Sequence, residues 1–247
     1  MRTCIAACVA TLLSLTCVSS LAEPGARPRA AYPESEAAAA WRALAASYVR
    51  KAVRERKLEN DTALNARVDA VMARVGAAVA DVDSRYAHAT WRAILIEDFG
   101  HGAVAFPGQT LLVDARFVRT LRLSDDELAL VFAHEAGHIV AGHAYEKLSF
   151  MAETLGRERA PTARSALLEF LAKDDYATSF RPVARLQERE ADRIGAAIFF
   201  ASGYDAERAL ALFDKLAALE SREGSDAHDP AMVRRDAVRA VLETLRR

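Results

Sequence analysis

Three of the chain's six histidines fall in one short stretch, "FAHEAGHIVAGHAYE", from Phe132 to Glu146. An apolar run leads into it from Ser124, with Glu127 three residues later, the pairing that caps the start of a helix. On a helix His134 and His138 are one turn apart and project from the same face, where two imidazoles can share one metal ion. Glu135 then stands beside the ion without joining the ligand pair. This H-E-x-x-H order suits zinc held by two histidines, with the glutamate handling the proton of a water. A chain built around it must bring a third ligand to the same helix face and leave one coordination position open.

The third ligand is not supplied nearby. A metzincin would carry Gly and His seven and ten residues after the first histidine, where this chain has Ala141 and Ala144. His143, nine residues on, is turned away from the pair on a continuous helix and reads either as structural or as a support behind a ligand histidine. The best supply is "LQEREADRIG", in which Glu188 and Asp192 are one helical turn apart. Glu188 is positioned to ligate the zinc. Asp192 is positioned to orient a ligand histidine by accepting its second ring proton. Glu190 points elsewhere on the same helix.

All three cysteines, Cys4, Cys8 and Cys17, lie in "MRTCIAACVATLLSLTCVSSLAEP", which has a basic residue, a short apolar run and small residues before Glu23. This reads as a signal peptide, residues 1–22, cut after Ala22. The rest then has no thiol, so a metal site must use nitrogen and oxygen ligands. A formal net charge of -1 gives no basic footprint for nucleic acid.

Residues 23–33, rich in proline and glycine, read as a flexible lead-in. A single domain is expected over residues 34–247, with no internal repeat. Residues 34–82 are alanine-rich with apolar residues at helical spacing, which predicts one or two long helices. Between Thr90 and Phe117 β-branched and aromatic residues cluster among glycines and a proline, predicting strands near 91–97, 102–106 and 110–114. Residues 149–182 are mixed, with Pro161 and Pro182 as breaks. Further helices follow, one stopped by Gly203, then 205–219 and 230 onward. The fold class is therefore α+β, mostly helical with a small sheet. Lys147 and Arg157 to Arg159 read as solvated charges, and Trp41 and Trp91 as core.

Taken together, "HEAGH", the downstream "EREAD", and the upstream "FPGQTLLVDARFVRTL" and "SDDELALVFAHE" resemble the HtpX/Ste-type zinc endopeptidases, metallopeptidase family forty-eight, over roughly Ile94 to Leu242. The resemblance implies a zincin-like metallopeptidase domain with one Zn2+ held by His134, His138 and Glu188. It implies an edge strand that lines the active site and pairs with extended polypeptide, with little sequence selectivity. The family's histidine and arginine near the domain end fall by similarity on His228, which would cover the zinc in a resting state, and on Arg234 or Arg235, which would hold the oxyanion. Asp229 stands between His228 and Pro230, and Gly102 replaces the family's asparagine before the strand.

The expected activity is metal-assisted peptide hydrolysis, with Glu135 taking the proton of a zinc-activated water and passing it to the leaving nitrogen. The expected substrates are unfolded or misfolded envelope proteins. The longest apolar run after the signal, "AAIFFA", is too short to span a bilayer, so the protein is expected in the bacterial periplasm, soluble or loosely membrane-bound. Two other classes stand beside this reading: a catalytically silent, zinc-closed chaperone-like binding protein, and a structural metal domain.

Overall fold

The computed structural model describes residues 31–223 and 229–247. The expected signal peptide and His228 lie outside the described residues. Two long helices open the fold, α1 (Glu34–Arg54) and α2 (Thr62–Val82). Asp61 caps α2 by accepting from the amides of Ala63 and Leu64. Strands β1 (Arg92–Ile96), β2 (Ala103–Phe106) and β3 (Thr110–Asp114) follow, then the short α3 (Ala115–Thr120). The remainder is helical: α4 (Asp125–Ala141), α5 (His143–Leu155), α6 (Ala163–Ala172), α7 (Asp174–Ser202), α8 (Ala206–Glu223) and α9 (Ala231–Leu245). The chain is thus mostly helical with a small mixed sheet, an α+β fold.

The strand order is β1-β3-β2, with β1 parallel and β2 antiparallel to β3. Every residue of β3 is buried, because helices cover both faces of the sheet. Leu111 and Val113 pack into one core with Val75 of α2 and Leu128 and Phe132 of α4, while Leu112 faces another with Trp41 of α1 and Leu148 and Met151 of α5. The alternation follows from the two-residue period of a strand. β1 and β2 form the two edges, and β2 is the one on the side of α4.

Ser124 and Glu127 form a reciprocal capping box that starts α4. The helix stops sooner than a continuous reading of Phe132 to Glu146 implies. Gly142 takes a left-handed conformation (φ 77°), which glycine adopts without a Cβ penalty, and the chain restarts as α5 at His143.

Three further expectations need correcting. Pro182 does not break the chain; it lies inside α7. The carbonyl it leaves without an amide donor, that of Thr178, belongs to an exposed residue, so water can satisfy it and the helix continues. Tyr32, within the stretch read as lead-in, is buried, donates to the Ala160 carbonyl at 2.6 Å and is covered by the Arg157 guanidinium. Lys147 is not a solvated charge; its ammonium sits among the rings of Trp41, Phe170 and Phe180.

Candidate active site

Two glycines set how closely the helices bearing the site approach each other. A Cβ on Gly137 of α4 would lie 2.7 Å from the Ala191 carbonyl oxygen, and one on Gly195 of α7 would lie 2.8 Å from the His134 Cα. Such distances are shorter than packed atoms tolerate, so only glycine permits this crossing. It lets side chains within two turns of these glycines meet across the gap: His134 and His138 from α4, Glu188 and Asp192 from α7.

The Nε2 atoms of His134 and His138 are 3.1 Å apart. Glu188 reaches both, with one carboxylate oxygen 3.2 Å from His134 Nε2 and the other 3.4 Å from His138 Nε2. One donor atom from each of the three lies within 4.8 Å of the others. Behind this trio, the remaining ring nitrogens are engaged. His134 Nδ1–H donates to Asp192 at 2.9 Å, and Asp192 in turn accepts two hydrogen bonds from Arg234, at 2.8 and 2.9 Å. His138 Nδ1 meets His143 Nδ1 at 2.8 Å, and His143 Nε2 meets a Glu190 carboxylate oxygen at 3.3 Å. A carboxylate end accepts only, so His143 donates from Nε2, accepts at Nδ1, and His138 donates from its Nδ1.

In their neutral forms these rings direct both Nε2 atoms toward one point beside a carboxylate. The arrangement fits a divalent cation: two nitrogens at about 2.1 Å from a tetrahedral ion lie about 3.4 Å apart. Electrostatics carries the same demand for positive charge. Burial disfavours a charged His134, but hydrogen bonds to Asp192 and Glu188 outweigh it and push its pKa up to about 10. His138 is held below the usual histidine value by burial. Burial alone would raise Asp192, yet Arg234 and His134 keep it well below the usual carboxylate range.

Glu135 projects from the ligand side toward the sheet, and its Oε2 accepts from the Ala105 amide at 2.8 Å. In the β2/β3 ladder Asp114 donates to the Gly102 carbonyl, so alternation turns the amides of Ala103 and Ala105 outward, away from β3. One of those outward donors fixes Glu135, and the edge strand lines the cleft. Toward the Gly102 end of β2 lies a largely apolar cavity of about 290 Å³, lined among others by Phe117, Leu130, Leu212 and Phe213 and reaching Glu135 and Arg234. Toward the other end the cleft runs past Ala105, His138 and Glu188 to Trp41 and Lys147.

The residues singled out in the sequence thus divide as follows. His134, Glu135, His138, Glu188 and Asp192 come together, and Arg234 joins them through Asp192. Arg235 turns away, to Asp214 and Asp236. His143 supports His138, as one reading of the sequence has it, although helical spacing turned it away, and Glu190 belongs to the site although spacing directed it elsewhere. The turn at Gly142 swings His143 back onto His138, and Glu190 meets it from α7.

A histidine pair on one helix, a glutamate from another and a further glutamate against an edge strand form a candidate metal site. Residues 63–242 match the sequence profile of peptidase family M48, and the chain belongs to that family. It is also similar to the beta-barrel assembly-enhancing protease of Vibrio cholerae, at 27% identity over 183 residues, covering 69% of this chain. The chain spans about a third of the length of that relative, 36% of which is matched.

Proposed function

We propose that the chain is a zinc-dependent endopeptidase that cuts unfolded or misfolded envelope polypeptides in the bacterial periplasm, soluble or loosely bound to a membrane. The observation that carries the reading is Glu135: its carboxylate is pinned to the edge strand at Ala105, and it lines the same cleft as His134, His138 and Glu188. A nitrogen and oxygen donor set of this kind suits zinc, which supplies Lewis acidity that lowers the pKa of water and polarises a carbonyl.

The protein's own residues do the rest. An extended chain added to β2 pairs with the outward main-chain groups of Ala103 and the Ala105 carbonyl, which gives register without selectivity. Antiparallel addition is the more stable per residue, so the substrate runs against β2 and directs the residue after the cut toward the apolar cavity at Gly102. Glu135 takes a proton from the attacking water and returns it to the leaving nitrogen. Arg234 is held rigid by Asp192 at the mouth of that cavity, where its charge favours a developing oxyanion.

The envelope setting rests on the apolar N-terminal segment and on the printed name of the Vibrio relative. No helix among the described residues is long and apolar enough to cross a membrane. The test is cleavage of unfolded casein by the purified chain, lost on chelation and restored by Zn2+. Zinc-loaded protein that cleaves nothing would overturn the proposal.

A further inference from the structure

Lys147 is a cation for which hydrolysis has no use. It lies one turn after His143 on α5, so it shares that helix's cleft-facing side, about 6 Å along the wall from the histidine that braces His138. Phe180 of α7 sits two turns before Glu188, about 12 Å away along the opposite wall. The Lys147 ammonium lies 5.1 Å from the ring centre of Phe170, 5.5 Å from Phe180 and 5.8 Å from Trp41. These contacts hold the charge in place through the ring faces, and they use none of its three N–H donors in hydrogen bonds to oxygen. Among the described residues no carboxylate comes within ion-pair distance of it and no acceptor takes its protons. Burial accordingly depresses its pKa, and only the field of Glu188 works the other way. With a divalent ion on Glu188, that negative charge is committed elsewhere.

We infer that Lys147, caged by Trp41, Phe170 and Phe180 at the far end of the cleft, is a subsite for a carboxylate of the substrate. A carboxylate offers the anion and the acceptor oxygens that this cation lacks, whereas an amide or an apolar group leaves it unpaired and partly desolvated. Trp41 stacks near Phe106, the last residue of β2, so the subsite lies at the end opposite the apolar cavity. For a substrate running antiparallel to β2, that end receives residues before the cut. The carboxylate is then an Asp or Glu side chain, since a chain terminus would emerge at the other end.

The inference rests on the peptidase reading, and the experiment separates the two. Zinc-loaded wild-type protein, Lys147→Met, Lys147→Arg and Lys147→Glu are each given one peptide library, amidated at the C-terminus in half the samples, and the cut sites are read by mass spectrometry. The expected wild-type pattern favours Asp and Glu over Asn and Gln at one position before the cut, by on the order of tenfold in rate. That ratio falls toward one in Lys147→Met, survives in Lys147→Arg and inverts in favour of Lys and Arg in Lys147→Glu. If amidation abolishes the preference instead, the carboxylate is the chain terminus, and the assignment of Lys147 to an Asp or Glu side chain before the cut is overturned. Identical preferences in all four proteins overturn the subsite. So does a Lys147→Met protein that keeps its fold and metal but cuts no peptide, because Lys147 would then serve turnover in general. A wild-type protein that cuts nothing overturns the peptidase reading itself.

Discussion

Gly195 of α7 lies so close to His134 of α4 that a Cβ on the glycine would fall 2.8 Å from the histidine's Cα. The proposed metal ligands come from both helices, so the width of this crossing sets their separation. Gly195→Ala must push the helices apart by several tenths of an ångström. The expected cost is about 1–3 kcal/mol of stability. Zinc affinity should fall more than the melting temperature suggests, because Glu188 is displaced from the histidine pair. Calorimetry and zinc titration of the variant check this; unchanged metal affinity would show that the ligands do not depend on the crossing.

The pair of Nδ1 atoms in His138 and His143, 2.8 Å apart, predicts a second effect away from the ligands. His143→Ala removes the acceptor that fixes the His138 tautomer, and Glu190→Gln weakens the hold on His143 from behind. Each should lower zinc affinity by about 10- to 100-fold while the protein stays folded. Chelator competition with circular dichroism on the same samples tests it. Wild-type affinity in both variants would reduce this relay to packing.

Proton release gives a third prediction. His134 in the metal-free protein has a pKa pushed up to about 10, burial being outweighed by Asp192 and Glu188, whereas His138 is depressed and already neutral. Near pH 8, zinc must therefore expel about one proton, and its apparent affinity should rise about tenfold per pH unit from 7 to 9. The raised pKa stabilises the metal-free fold fully below the unfolded value near 6.5, and that contribution fades as the pH climbs toward 10. Asp192→Asn removes one of the groups that raise His134 and should lessen the release. Zinc titration calorimetry in two buffers of different protonation enthalpy measures the proton count.

The parts of this site carried by one period were legible in the sequence. His134 with His138 and Glu188 with Asp192 are one-turn pairs, and the strands follow from a cluster of β-branched and aromatic residues bounded by glycine and proline. What escaped depended on one residue's backbone or on chain-distant contact. Gly142 inside "IVAGHAY" is the signal that α4 ends there; a supporting role for His143 is legible without it, but the contact with His138 and the part played by Glu190 are not. Pro182 was overrated as a breaker because its effect depends on whether the orphaned carbonyl can reach water. The cage around Lys147 joins α1, α5, α6 and α7, and no local pattern announces such an assembly.

The most direct test of the account is zinc content measured together with unfolded-casein cleavage, on the wild-type chain and on Glu135→Gln. Glu135 is a base and not a ligand in this account, so both proteins should hold about one zinc, and the variant's turnover should drop by about 10²- to 10⁴-fold. Wild-type turnover by Glu135→Gln, or loss of zinc from it, would contradict that assignment.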